Sequence, residues 1–211
     1  MSRRLVLASN NAKKLSELRA LFDGLPLDLQ PQGAFGIPEA EEPHLTFVEN
    51  ALAKARHAAR AVGGAAIADD SGLCVAALGG APGVISAHAG GLVPALPDRE
   101  LTRQAQDAIN NAWLLERLRG VGDRSARFVS TLVAVRSAED PEPLIALGRW
   151  EGRILESPQG ANGFGYDPLM FIPALGCTVA ELAAEVKNAH SHRAIAAAQM
   201  RALMRDAWAL K

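Results

Sequence analysis

The chain has few cysteines, few aromatic residues and no long hydrophobic run. Two of its 211 residues are cysteines, and 5% of them are aromatic. Cys74 and Cys177 stand far apart in apolar contexts, which excludes a disulfide scaffold or a zinc ribbon and predicts two buried thiols outside any disulfide. Because no apolar run approaches the roughly 20 residues that a membrane span needs, we expect no membrane partner.

An excess of charge of either sign is also absent. The sequence contains 22 Lys and Arg against 23 Asp and Glu, a formal net charge of −1. Proteins that bind nucleic-acid polymers usually carry a strong basic excess, so this balance and the scarcity of aromatics argue against such a partner. The basic N-terminus has an apolar stretch too short for a signal peptide, and we therefore expect a cytoplasmic protein.

Several common catalytic signatures are missing. The sequence holds no G-x-x-x-x-G-K-[ST] loop and no G-x-G-x-x-G after a strand, which excludes a P-loop enzyme and leaves a dinucleotide fold without support. It also lacks G-x-S-x-G and H-E-x-x-H, which mark many esterases and metallopeptidases. The composition, with 49% hydrophobic and 21% charged residues, is ordinary for a folded chain of this length. We expect a single domain over residues 1–211.

Periodicity and helix caps predict the main elements. Apolar runs predict buried strands and one hairpin, and helical spacing with caps at Thr46, Asp98 and Ser191 predicts helices. The predicted strands are 5–8, 65–68, 73–76, 128–135 and 144–155, and the predicted helices follow residue 14 and cover 46–62, 98–119 and 191–209. Parallel-type units followed by an antiparallel pair predict an α/β fold with a mixed sheet flanked by helices.

The polar stretch Ser9–Lys14 lies between the first predicted strand and the first helix. Backbone N–H groups at a helix start point outward, and the helix dipole favours an anion there, so the loop is a candidate phosphate site. Lys14 would add a positive charge, with Ser9 and Asn11 as neutral donors. The alternative is a helix cap followed by a solvated lysine.

Two acids, Asp69 and Asp70, close the second predicted strand. Ligands of open α/β sheets bind at the carboxyl ends of strands. Because neighbouring side chains of a strand point to opposite faces, only one of these acids should face a site. Carboxylate oxygens suit Mg²⁺, and a second carboxylate would come from Glu39, Glu41 or Glu42. The alternative is a polar turn.

The loop 160–168 combines three glycines with two aromatic residues. Glycine lets a ligand approach the backbone closely. Phe164 or Tyr166 could stack on a base, a contact that contributes about 1–3 kcal/mol in known sites. For either aromatic, a plug into the core is an equal alternative.

The segment 187–193, with sequence K-N-A-H-S-H-R, is expected to open the last helix behind the Ser191 cap. His192 and Arg193 would then lie in the first turn, where the helix dipole disfavours cations. Their presence indicates an anionic ligand or pairing with a nearby carboxylate. His190 and His192 are two residues apart and do not share a helical face, which argues against a metal pair.

Six blocks of the sequence, in order and over essentially the whole chain, resemble the inosine triphosphate pyrophosphatases. These enzymes remove non-standard purine nucleoside triphosphates (ITP, dITP, XTP) from the nucleotide pool. One block alone would be weak evidence, whereas six blocks at matching separations are specific. The blocks are S-N-N-A-K-K at 9–14, T-F-V-E-N-A-L-A-K-A-R at 46–56, A-D-D-S-G-L at 68–73, L-G-G-A-P-G at 78–83, G-F-G-Y-D-P at 163–168 and K-N-A-H-S-H-R at 187–193.

The resemblance implies a role for each matching residue. Asp70 would be the catalytic carboxylate and, with Glu42, a ligand of Mg²⁺. Ser71 would contact substrate, and Phe164 would stack on the base. The residues implied to hold the triphosphate are Ser9, Asn10, Asn11, Ala12, Lys13 and Lys14. Those implied to hold the nucleoside or read the purine are Phe164, Gly165, Tyr166, Asp167, Lys187, His192 and Arg193.

The resemblance also implies an elongated α/β fold of two lobes with a central cleft, a homodimer, and hydrolysis of the purine nucleoside triphosphate to its monophosphate and pyrophosphate. The activity would prevent misincorporation into DNA and RNA. The chain departs from the family within 86–91, where His88 replaces the usual arginine. A nucleotide-binding regulator without turnover is a rival hypothesis. It would keep Lys14, Phe164 and Arg193 but would need neither Asp70 nor Glu42.

Overall fold

The computed structural model describes residues 2–210 and contains a mixed sheet with helices. The strands are Arg3–Leu7 (β1), Leu27–Pro31 (β2), Ala66–Val75 (β3), Ser125–Val135 (β4), Leu144–Ile154 (β5), Met170–Ile172 (β6) and Cys177–Thr178 (β7). They form one seven-stranded sheet in the order β2-β1-β3-β4-β5-β6-β7. β1 runs parallel to β2 and β3, whereas β6 runs antiparallel to β5 and β7. The sheet is therefore mixed, as predicted.

Three of the helices begin where the sequence predicts caps. The helices are Ala12–Leu21 (α1), Phe47–Val62 (α2), Arg99–Arg117 (α3), Ala184–His190 (α4) and His192–Ala207 (α5). The side chains of Thr46, Asp98 and Ser191 each accept a backbone N–H of the turn that follows, which confirms the three predicted caps. Within residues 2–210, none of the helices is long and apolar enough to cross a bilayer.

The chain divides into two compact units. The first consists of the residues up to Ser71, of Ser130–Arg149 and of the residues from Asn188 onward. The second consists of Gly72–Val129 and Trp150–Lys187. Each unit has its own apolar core.

In the first unit, apolar layers cover both faces of β1. Leu5 and Leu7 belong to a buried cluster with Met200 of α5. Val6 and Ala8, whose side chains point the other way, belong to a second cluster with the buried alanines of α2. A strand covered on both faces reads as an unbroken apolar run rather than an alternating one, which is why the sequence marks this strand clearly.

The core of the second unit anchors the C-terminal half of α3. Leu114 and Leu118 are fully buried and share a cluster with Phe128, Trp150 and Ile154. The earlier turns of α3 carry polar side chains that bind loops of the same unit, as described below.

The prediction of two separate strands at 65–68 and 73–76 is wrong, because β3 runs without a break from Ala66 to Val75. Asp69 and Asp70 therefore lie in the middle of a strand rather than at its end, and both are buried. Buried charges are tolerated when they are paired. Each of these two acids contacts a cation, so the strand can continue through them.

Three further features differ from the sequence prediction. Lys187 lies on the separate helix α4 rather than at the start of the last helix, since Ser191 interrupts the two. β2 was not predicted, because a short edge strand can contain Asp28 and Pro31, residues that sheets usually avoid. Cys74 is buried as expected but Cys177 is only partly so, and neither forms a disulfide.

Candidate active site

The loop from β1 to α1 is organised by its own side chains. The Asn11 side chain caps α1 and accepts the backbone N–H groups of Lys13 and Lys14 at 3.0 and 3.2 Å. The Ser9 hydroxyl accepts the backbone N–H of Asn11 at 3.1 Å. Two of the amides that could hold an anion are thus capped, so the helix cap of the alternative prediction is present.

Lys14 does not extend into solvent. Its Nζ lies 3.2 Å from Oδ2 of Asp69, and its side chain is 18% exposed. Burial lowers the pKa of Lys14, and the Arg193 guanidinium lowers it further, while Asp69 partly opposes both effects. A largely buried ammonium that shares its carboxylate partner with a guanidinium favours an additional anion.

Asp69 is the central acid of this group. Its carboxylate accepts a hydrogen bond from the Ser130 hydroxyl at 2.8 Å and two from the Arg193 guanidinium at 3.0 and 3.1 Å. Burial alone would raise its pKa, but the cations Arg193 and Lys14 hold the pKa of Asp69 well below its usual range. Asp69 therefore stays ionised and fixes two cations.

Arg193 is 2% exposed and lies in the first turn of α5. Besides Asp69, its guanidinium donates to the carboxylate of Glu17 and, at 3.2 Å, to the hydroxyl of Ser71. Of the two sequence-based alternatives for Arg193, the structure shows pairing with carboxylates. His192, the residue before it, is also buried.

Asp70 points to the other face of β3 and has different partners. Its Oδ1 lies 2.7 Å from Nζ of Lys54, and the same Nζ lies 3.1 Å from Oε2 of Glu42. Burial raises the pKa of Asp70 to about 6, although Lys54 opposes the shift. Its Oδ2 is buried and has no hydrogen-bond partner among residues 2–210.

The position of Glu42 is set by α2. The side chain of Asn50, which is buried, accepts the backbone N–H of His44 at 3.0 Å and donates to the carbonyl of His44 at 3.2 Å. This pair of bonds ties the acidic loop to the helix, four residues before Lys54. Glu39, Glu41 and Glu42 are all exposed, and Glu42 is the one that contacts Lys54, the partner of Asp70.

This arrangement fits a hard divalent cation. Two carboxylates, Asp70 and Glu42, converge on one ammonium, and one buried oxygen of Asp70 lacks a partner. Among residues 2–210 there is no group of three or more His, Cys, Asp or Glu that could hold a metal by itself. Mg²⁺ commonly binds through one or two carboxylates and takes its other ligands from water and phosphate, so two acids suffice.

The loop around Phe164 in the second unit is held by hydrogen bonds to its backbone. Oδ2 of Asp167 accepts the backbone N–H of Phe164 at 2.9 Å and the ammonium of Lys187 at the same distance. The Lys187 Nζ also lies 4.6 Å from the centre of the Phe164 ring, a cation–π distance. Phe164 is half-buried, whereas Asp167 and Lys187 are buried.

Tyr166 is a core residue. It is 5% exposed and donates its hydroxyl to the carbonyl of Ser86 at 2.9 Å. Burial and the nearby Asp107 raise the pKa of the Tyr166 hydroxyl. Of the two aromatics in this loop, Tyr166 plugs the core, and Phe164 is the one with a ring partly open to a ligand.

The profile of the Ham1 family matches residues 5–203 of the sequence. The chain belongs to the Ham1 family. A protein of Methylibium petroleiphilum named dITP/XTP pyrophosphatase is 67% identical over 205 residues, which cover 97% of this chain and 99% of that protein. One of the same name from Leptothrix cholodnii is 66% identical over 98% of this chain and 99% of its own. The solved structure of a HAM1 protein from Coxiella burnetii is 43% identical, with a TM-score of 0.86, over 97% of this chain and 98% of that one.

Sequence reasoning missed some residues that organise the site of this Ham1 chain. Lys54 belongs to a matching block but received no role, and its signal is a polar pair, Asn50 and Lys54, in the otherwise alanine-rich buried face of α2. Glu17 and Ser130 gave no signal, because an acid on an amphipathic helix and a serine in a strand are common. The partner of each is set by contacts between distant segments.

Proposed function

We propose that this chain hydrolyses non-standard purine nucleoside triphosphates, such as ITP, dITP and XTP, to the nucleoside monophosphate and pyrophosphate. Its membership of the Ham1 family and the names of its relatives support the reaction. The observation that carries the proposal is Asp70, a buried carboxylate with one unpartnered oxygen, beside Glu42 and Lys54. The substrates belong to the nucleotide pool, so the proposal places the activity in the cytoplasm, where it would clean that pool.

In this proposal Asp70 and Glu42 hold Mg²⁺, which when bound neutralises polyphosphate charge and supports attack by water. Asp70 orients the attacking water through Oδ2 and accepts its proton. A carboxyl with a pKa of about 6 is well matched to that task near neutral pH. Lys54 holds Oδ1 at 2.7 Å and so fixes the orientation of the carboxylate.

The phosphates would be bound by the loop Ser9–Lys14 and by Ser71. Lys14 supplies the main charge there, and its shared ion pair with Asp69 can open toward a phosphate without moving Arg193, which keeps Asp69 and Glu17 as partners. Positive charge beside the leaving pyrophosphate, on which negative charge develops, stabilises the transition state. No covalent nucleophile is required.

The base would be bound by Phe164, stacked on the purine, with Lys187 and His192 as hydrogen-bond partners. Lysine offers donors only. It pairs with the 6-oxo group of ITP and XTP, whereas the 6-amino group of ATP presents a donor to it. Arg193 is a further candidate for reading the purine, and it would have to exchange one of its bonds to Asp69, Glu17 or Ser71 to do so.

The test is one panel of substrates, ITP, XTP, ATP and GTP, assayed with Mg²⁺ and with EDTA for pyrophosphate and orthophosphate. We expect pyrophosphate, loss of activity with EDTA, and kcat/KM for ITP and XTP at least about 10²-fold above that for ATP, since a site that hydrogen-bonds its substrate rejects mismatched analogues by up to roughly 10⁴-fold. Orthophosphate as the first product, or equal hydrolysis of ATP, would contradict the proposal.

We also propose that the chain forms a homodimer and that exposed apolar side chains of the second unit, Ile85, Leu92, Leu96 and Leu101, contribute to the interface. All four are exposed, Leu92 by 83%. The exposed His88, which stands in place of the family's usual arginine, belongs to the same segment. The resemblance to the inosine triphosphate pyrophosphatases implies that a second copy of the chain covers these side chains.

Leu92→Glu and Leu96→Glu should lower the mass measured by light scattering to that of one chain, whereas Ile145→Glu, an exposed apolar site of the first unit, should not. An unchanged mass for the leucine variants would contradict this interface.

A further inference from the structure

Two polar side chains of α3 hold one residue of the Phe164 loop by both of its backbone groups. The backbone N–H of Gly165 donates to Oδ2 of Asp107 at 2.8 Å. The Nδ2 of Asn111 donates to the carbonyl of Gly165 at 3.0 Å. Asp107 and Asn111 are four residues apart on the helix and therefore lie on the same face. One helix face thus fixes the orientation of the Gly165 peptide groups.

The conformation of Gly165 controls the neighbouring aromatic ring. Gly165 has a φ of +62°, a left-handed conformation that favours glycine. Phe164, the residue before it, is held in a turn in which its carbonyl accepts the backbone N–H of Asp167 at 3.2 Å. A rotation at Gly165 would therefore reorient the Phe164 ring, and the two α3 side chains prevent that rotation.

A second observation on Asn111 indicates that its amide group serves this contact with Gly165. Its Oδ1 is buried and has no hydrogen-bond partner among residues 2–210. A buried acceptor without a partner destabilises the fold. If the side chain only filled space, an apolar residue at this position would give a more stable protein. Such exceptions to local rules in native proteins tend to mark functional positions.

Neither residue is needed to place α3. Leu114 and Leu118 anchor the helix in the core of the second unit, and both are fully buried. Asp107 and Asn111 are only half-buried. On the other side of the helix, Gln106 makes two comparable bonds, one to the backbone N–H of Val93 and one to the carbonyl of Gly91, so a matched control exists.

We propose that Asp107 and Asn111 are positioning residues for base recognition. They set the ring of Phe164 at the angle at which it stacks on the purine, and they do not touch the phosphates or the reacting atoms. The proposal rests on the proposed function, because it takes Phe164 as the platform for the base of the substrate.

The experiment compares ITP with inorganic tripolyphosphate, a ligand that has phosphates but no base. Asp107→Ala, Asn111→Ala and the control Gln106→Ala are assayed for kcat and KM with ITP and for inhibition by tripolyphosphate, after thermal unfolding shows that each is folded. We expect the two loop variants to raise KM for ITP about tenfold, as the loss of a hydrogen bond to a charged or buried group predicts. Their kcat and their inhibition constant for tripolyphosphate should stay close to wild type, and Gln106→Ala should leave all three constants close to wild type.

The conservative variant Asp107→Asn keeps an acceptor oxygen and should recover most of the wild-type KM. Equal weakening of ITP and tripolyphosphate, a fall in kcat without a rise in KM, or no change would each overturn the positioning role. If the wild-type protein does not hydrolyse ITP, the proposed function fails by itself. The positioning role is then decided by the dissociation constants of ITP for the same variants, measured by calorimetry, and equal constants for wild type and variants would overturn it.

Discussion

The acids of the first unit and Gly165 of the Phe164 loop in the second unit are held by different means. Asp69, Asp70 and Glu42 each contact a buried cation, so that their geometry is a balance of charges. The loop is held by side chains that bind its backbone, with Gly165 between Asp107 and Asn111. Ammonium groups can exchange a carboxylate for a phosphate, whereas a wall for a flat base has to be shaped in advance.

The largest effect is expected on the charge side, at Asp70. Asp70→Asn removes the proposed general base and metal ligand, so kcat with ITP should fall by at least about 10²-fold. Pyrophosphate release at saturating ITP and Mg²⁺ measures the loss, and thermal unfolding should show a folded protein. Asp140→Asn, which alters a buried acid paired with Arg136, is the control and should leave kcat close to wild type. A near-normal kcat for Asp70→Asn would refute the assignment.

The neighbouring acid should matter for stability more than for turnover. Asp69→Asn takes from Lys14 the carboxylate that it contacts and leaves Arg193 with Glu17 as its remaining carboxylate partner. Removing one partner of a buried ion pair typically costs 3–5 kcal/mol, and we expect about 3 kcal/mol because Glu17 still pairs. Urea unfolding measures the change. Glu142→Gln, at an exposed pair with Arg136, should change the free energy of unfolding little. A cost for Asp69→Asn no larger than that control would show that the cluster does not stabilise the fold.

On the loop side, the largest effect is expected at Phe164. Phe164→Leu removes a stacking contact of about 1–3 kcal/mol, so kcat/KM for ITP should fall by roughly 10- to 100-fold. Inhibition by tripolyphosphate should be unchanged, since that ligand has no base. Phe35→Leu, at a phenylalanine that lies against Arg4 in the first unit, is the matched control. Equal losses for ITP and tripolyphosphate would mean that Phe164 supports the fold instead of the base.

The smallest effect is expected in the pH dependence of stability, which the ionised Asp69 should influence. Cations hold the pKa of Asp69 below its usual value of about 4. A lowered carboxyl pKa contributes stability that is complete above the unfolded pKa and is lost as the pH falls through the folded one. Below about pH 4, the free energy of unfolding of wild type should therefore fall more steeply than that of Asp69→Asn. Urea titrations at several pH values between 7 and 2.5 test this, and parallel curves would contradict it.

Much of the local structure could be predicted from the sequence, because its signals lie within a few residues of one another. The caps Thr46, Asp98 and Ser191 bind the turn that follows them. The unbroken apolar run at β1 predicts a strand that is buried on both faces. The opposite directions of Asp69 and Asp70 follow from the period of a strand. These features depend on covalent geometry and need no knowledge of distant segments.

The pairing of charges was decided only by the tertiary structure. Asp69 and Arg193, which are 124 positions apart, meet because β3 and the start of α5 belong to the same unit, and neither sequence segment specifies the other. Because both acids pair with cations, β3 continues through Asp69 and Asp70, where the sequence predicts its end. Lys54 and Asn111 are ordinary helix residues until the fold sets Asp70 and Gly165 beside them. Local patterns set the elements, whereas long-range contacts assign their polar side chains, since an ion pair depends on distance in space and not along the chain.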